Sequence, residues 1–119
     1  MLAPTDGMTV YLACGATDMR KNIDGLAAVV THTFDLDLFS NSLFVFCNRQ
    51  CDKLKILYWD RNGFWLYYRR LERGQFKWPA RSSNQPTLAI DRRQLQWLLD
   101  GMTLEQRQAH TPVNARIVA

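Results

Sequence analysis

Residues 53–70 read KLKILYWDRNGFWLYYRR, and the reading of this stretch anchors the fold. Two runs rich in apolar and aromatic residues stand on either side of Asp60-Arg61-Asn62-Gly63. Asn-Gly between such runs is the strongest short-range hairpin signal, because both residues tolerate positive φ. Successive strand side chains point to opposite faces, so Leu54, Ile56 and Tyr58 share one side of the first run and Lys53, Lys55, Leu57 and Trp59 the other. In the second run the same rule separates Trp65, Tyr67 and Arg69 from Phe64, Leu66, Tyr68 and Arg70.

The pattern extends in both directions. Ser42 to Asn48 is an apolar run upstream, and Glu72-Arg73-Gly74-Gln75 is a second break, leading into Phe76-Lys77-Trp78 before Pro79 ends pairing. A four-strand antiparallel meander over about residues 42–78 is therefore expected. Earlier in the chain, Met8 to Cys14 reads as a strand that stops at Gly15. Thr17 or Asp18 then offers an N-cap oxygen for a helix from about Met19 to Thr33, with Ile23, Leu26, Ala27, Val30 and Phe34 as its apolar stripe. Gly25 and the β-branched Val29, Val30 and Thr31 weaken its propensity, so burial has to hold it. Leu36, Leu38 and Phe39 are expected to anchor the connector that follows.

Beyond a polar loop at 81–86, Thr87 to Ile90 is a short strand or a helix lead-in, and Asp91 an N-cap. Leu95, Leu98 and Leu99, with Trp97 alongside, form a short helix ending at Gly101. Thr103 to Gln108 reads as one more helical turn, and residues 109–119 as a flexible tail. The expected class is α+β. A single domain spans residues 1–119 with its core in 8–101: an antiparallel β-meander of about four to five strands packed against an N-terminal helix, with a short C-terminal helix.

At 119 residues, 47% hydrophobic and 22% charged, the chain has the size and composition of one globular domain. Its longest apolar runs, such as Leu43 to Cys47, fall far short of the roughly 20 residues that cross a bilayer. The opening Met1-Leu2-Ala3-Pro4-Thr5-Asp6 shows no basic and then apolar leader, which points to the cytoplasm. Cys14, Cys47 and Cys51 cannot pair evenly and lack flanking ligands, and His32 and His110 lie far off, so reduced structural thiols are expected, with no metal and no cofactor. No phosphate loop of P-loop spacing and no nucleophile elbow is present in the sequence.

Charge is distributed unevenly. The net charge is +4, yet from Arg49 to Arg93 eleven basic residues face four acids, a surplus of seven that leaves the remainder negative. Basic and aromatic residues interleave here, a composition that tracks phosphates and stacks bases when it is exposed, but that also serves as cross-strand packing beneath a solvated face. Arg20 and Lys21 fall in the first turn of the expected helix, where the macrodipole disfavours each by about 0.3–1 kcal/mol. They reach phosphate or a partner's carboxylates, or they pair with Asp18 or Asp24.

The stretches YLACGATDMRKNIDGLAAVV (11–30) and LFVFCNRQCDKLKILYWDRNGFWLYYRRLERGQFKWP (43–79) resemble the accessory proteins, commonly labelled TnpB, encoded by the second open reading frame of insertion-sequence family sixty-six. The resemblance runs over about residues 8–101, and its pieces stand in order: Thr17 to Lys21, Asp52 to Asp60, Gly63-Phe64 and Leu71 to Gly74. The family pattern usually has glycine near Asn22 and at Cys51, which puts the shape of the turn at 49–52 in question. The resemblance implies a role in transposition beside a separate transposase that carries the catalytic acids, and it brings no catalytic residue to this chain.

Three functions compete on these residues. The first is a non-catalytic accessory module that contacts element DNA, the transposase or both through Arg20, Lys21, Lys53, Lys55, Trp65, Tyr67, Arg69 and Arg73. The second is a protein scaffold anchored on Trp59, Trp65 and Trp78. The third is a metal-dependent nuclease using Asp18, Asp24, Asp52, Asp60 or Glu72, although turn and cap chemistry already accounts for most of these acids. Outer strands of the sheet offer edges through which copies of the chain can pair.

Overall fold

The computed structural model describes residues 7–105. The expected turn beyond residue 105, the tail at 109–119, His110 and the first six residues lie outside them. Five strands, β1 (Thr9–Ala13), β2 (Ser42–Cys47), β3 (Lys53–Asp60), β4 (Gly63–Arg70) and β5 (Thr87–Ile90), form one sheet in the order β4-β3-β2-β1-β5. β1 and β2 run parallel, and the other neighbours are antiparallel. The α+β class and the two helices therefore stand, while the arrangement of strands differs from a plain meander.

Only β2, β3 and β4 form the meander. Phe76 to Trp78 does not run alongside β4 as a fourth strand. The buried Phe76 instead donates its N–H to Cys51 O at 2.7 Å, and the Trp78 indole donates to Ala13 O at 2.9 Å. These bonds carry residues 71–86 across the ends of the strands and leave β4 as an edge. The other positions in the sheet go to β1, on the inner side of β2, and to β5 at the far edge. Parallel pairing of β1 with β2 needs a long crossover, and residues 14–41 supply it.

The crossover helix α1 (Ile23–Ala28) is shorter than its apolar stripe suggests and continues as a wider π-helical turn over Val29–Thr33, where Phe34 N–H reaches Val29 O at 3.0 Å. The β-branched run at 29–31 weakens regular α-helix here, and a wide turn accommodates it. Asn22 rather than Thr17 or Asp18 is the N-cap. Arg20 and Lys21 therefore precede the helix, and the macrodipole conflict expected for them does not arise.

Helices cover both faces. α1 packs over Ala13, Phe44, Phe46 and Leu57, while α2 (Arg92–Leu99) packs over Val10, Leu12, Leu43, Val45, Leu54 and Ile56. All six residues of β2 are consequently buried, which is why it reads as an unbroken apolar run instead of an alternation. Each fully buried Leu or Phe contributes about 1.5–3 kcal/mol by the usual area rule. Asp91 caps α2 in a capping box with Gln94, and Gly101, at φ 80°, closes it. Leu36 and Leu38 pack on the α1 side as expected, but Phe39 is 61% exposed and lies against Trp59 and Phe64.

Candidate nucleic-acid interface

Strand direction places the charge. β1, β2 and β4 end, and β3 and β5 begin, at the same end of the sheet. Three connectors, residues 14–22, 48–52 and 71–86, therefore meet there. Backbone bonds tie them together: Thr17 N–H to Cys47 O at 2.7 Å, Leu71 N–H to Asp52 O at 2.7 Å, and Gly15 N–H to Pro79 O at 2.9 Å. Gly15 sits at φ 76°, and a Cβ on it would meet Arg81 Cβ at 2.9 Å, so only glycine lets the two segments approach this closely.

The turn at 48–52 is built around the buried Asn48. Its Oδ1 accepts from the N–H groups of Asp52 and Lys53 at 3.0 Å each, and its Nδ2 donates to Asp52 Oδ1 at 2.7 Å. Cys51 adopts φ 59°, the left-handed conformation suited to the glycine of the family pattern, so the turn keeps that shape with a cysteine in it. Burial, followed by the nearby Cys51, pushes the Cys47 thiol up to about 12, which leaves it protonated and unreactive at neutral pH. Cys14 is also buried, and all three cysteines are free.

Around these turns stand nine cations: Arg20, Lys21 and Arg49 on the first two connectors, Lys53, Arg69 and Arg70 at the strand ends, and Arg73, Lys77 and Arg81 on the third connector. All are exposed except the half-buried Lys53. The three acids on these connectors, Asp18, Asp52 and Glu72, are all engaged. Asp18 accepts from Arg20 Nε at 3.0 Å and Nη2 at 2.8 Å, Glu72 accepts from Arg70 Nε at 2.9 Å, and Asp52 lies 3.8 Å from Lys53 Nζ. The Arg20 hydrogen bonds hold the Asp18 carboxyl down at about 2. At the opposite end of the sheet Asp35, Asp37, Asp60 and Asp91 outnumber Arg61, Arg92 and Arg93 among the described residues.

The expected site residues are not all brought together. Arg20, Lys21, Lys53 and Arg73 meet at the basic end, and Arg69 adjoins them from the α2 side of the sheet. Lys53 and Lys55 lie on the α1 face, whereas Trp65, Tyr67 and Arg69 lie on the α2 face, so these five do not form one surface. Lys55 is buried, and its ammonium spends its three protons on Met19 O at 2.8 Å, Lys21 O at 2.8 Å and Asn22 Oδ1 at 3.0 Å. It holds the 19–22 loop in place and is not available to a ligand. Trp65 stacks on Tyr67 at 6.1 Å away from the basic end, and its indole donates to Asp60 Oδ2 at 3.3 Å.

Arg49, Arg70, Lys77 and Arg81 join the site without being singled out by sequence reasoning, although their share of the charge surplus marks them. The long 71–86 crossing of the strand ends brings Lys77 and Arg81 in, and the turn at 48–52 brings Arg49. The acids weighed for metal chemistry are dispersed, and among the described residues no group of three or more His, Cys, Asp or Glu is disposed to hold a metal ion. No helix among those residues is long and apolar enough to cross a membrane.

The chain is a small α+β module with a helix on each face of its sheet and nine of its cations at one end of the strands. The chain belongs to the family described as IS66 Orf2 like protein, which matches residues 8–109 and comprises accessory proteins of insertion-sequence transposition. It is similar to uncharacterized protein y4hO of Sinorhizobium fredii (strain NBRC 101917 / NGR234), at 37% identity over 102 residues, 86% of this chain and 87% of that protein. Uncharacterized protein y4jC of the same strain is 34% identical over 79 residues, 66% of this chain and 68% of that protein. No solved structure matches the chain.

Proposed function

We propose that this protein is a non-catalytic, cytoplasmic accessory factor that works beside the transposase of its element and binds element DNA through the basic end of the sheet. The observation that carries this reading is the meeting of three connectors at one end, with nine cations on them and on the adjoining strand ends and the three acids of the connectors already paired. A polyanion approaching that end meets little repulsion, and phosphates supply the charge pattern such a surface neutralises. The rings expected to stack bases stand elsewhere, which favours a phosphate contact on duplex over a single-strand platform.

The test is fluorescence anisotropy with a labelled duplex from the element's ends at several salt concentrations. Log affinity should fall linearly with log salt by about 0.9 per phosphate neutralised, and replacing Arg73 and Lys77 together by alanine should lower that slope. Binding that ignores salt, or no binding at low salt, removes the proposal.

A further inference from the structure

From the β4 edge we infer a second interaction site, at which an extended acidic segment of another protein adds to the sheet as a sixth strand. It does not rest on the DNA contact. β4 is eight residues long and, among the described residues, has no neighbour beyond it, so every second residue turns its N–H and C=O away from β3. Natural edges of this length are usually blunted by proline or by charge along the strand, and β4 carries no proline and has its charges, Arg69 and Arg70, only at its last two positions.

Exposed apolar surface concentrates at the same place. Trp65 and Tyr68, 53% and 54% exposed, lie on β4 itself, and the exposed Phe39 lies against Phe64. On the α2 side, β4 borders a cleft of about 570 Å³ between the sheet and the helix, floored by Leu54, Ile56 and Leu95. Arg69 stands both in this cleft and in an adjoining one of about 590 Å³ that carries Arg73 and Lys77, against the single acid Asp100.

Charge complementarity selects the occupant. A strand with the β-period of 2 presents one set of side chains to the cleft and the other to the opposite face. Apolar residues in the first set fill the cleft, and an aspartate or glutamate near the end beside Arg69 meets the positive lip. Main-chain hydrogen bonds supply the register, and the cation supplies the preference for an acidic segment over a basic one.

The experiment titrates the full chain with synthetic eight-residue peptides that alternate valine with threonine and carry glutamate in place of the valine at one end or the other, so that it falls on the cleft side beside Arg69, read by isothermal calorimetry. Three controls accompany them: lysine in place of glutamate, and N-methylation of either one of the two alternating sets of amides. The glutamate peptide should bind, the lysine peptide should bind at least about tenfold more weakly, and only one of the two N-methyl sets should abolish binding. The Arg69→Glu chain should reverse the preference between the glutamate and lysine peptides. Equal effects of both N-methyl sets, no charge preference, or no binding overturn the proposal. So does sedimentation showing a dimer of the chain alone that a Trp65→Lys substitution dissolves, since the occupant is then a second copy. The two sites share Arg69, Arg73 and Lys77, so it is the unequal effect of the two N-methyl sets, which no phosphate contact produces, that lets the two proposals fail separately.

Discussion

Arg61 occupies the first position of the two-residue loop between Asp60 and Gly63, at φ 55°. Positive φ at the first loop position only is the pattern in which glycine is preferred there, and it shifts the loop centre one residue back from Asn62-Gly63. The Arg61 side chain is 93% exposed and lies 3.8 Å from Asp60, a contact worth little in water. Arg61→Gly should therefore stabilise the protein by about 0.5–1 kcal/mol, seen as a higher thermal midpoint, and an unchanged or lower midpoint rejects the strained-loop account. Asp18 acts through its charge instead of its backbone. Its folded carboxyl is held at about 2 by Arg20 against an ordinary value of 3.8, so the stabilisation it gives is present above the unfolded pKa and is lost as pH falls from about 4 toward 2. An NMR titration of the Asp18 carboxyl should place its midpoint near the lower value in the wild type and move it up toward the ordinary range in Arg20→Ala; an identical midpoint in both denies the pairing.

The elements that could be read from sequence are those whose signal is local. The hairpin of β3 and β4, the cap at Asp91 and the stop at Gly101 depend on residues within a few positions of one another, and each is present. The order of strands in the sheet was not legible, because whether Phe76 to Trp78 pairs with β4 or crosses the strand ends is decided by bonds to Cys51 and Ala13, 25 and 65 residues away. Lys55 shows the same limit within a strand. Alternation puts it correctly on the face of Lys53 and Leu57, but its burial comes from the loop at 19–22 folding over it. Lys55→Met keeps the aliphatic stem and removes the ammonium, leaving the carbonyls of Met19 and Lys21 without this donor. A loss of about 2–3 kcal/mol in denaturant unfolding is expected, with faster amide exchange at 19–22. A neutral substitution would mean that Lys55 is solvated in solution and open to a ligand after all.

At the scale of the whole molecule, the surplus of positive charge was legible as a number in the sequence and its position was not. A count over residues 49–93 includes Arg61, Arg92 and Arg93, which strand direction sends to the end opposite Arg49, Arg73 and Lys77. Two substitutions that remove equal charge from the two ends therefore separate a positioned interface from a general polycation. Arg73→Ala with Lys77→Ala takes two charges from the basic end, and Arg61→Ala with Arg93→Ala takes two from the other. If the protein grips DNA by one end, the first pair should lower the slope of log affinity against log salt by about 0.9 for each phosphate no longer neutralised, so by up to about 1.8. The second pair should leave the slope where it was and slow association slightly, because distant charge steers without touching phosphate. Equal slopes for the two double variants would show that net charge alone governs binding, and the assignment of the interface to the strand ends would fall.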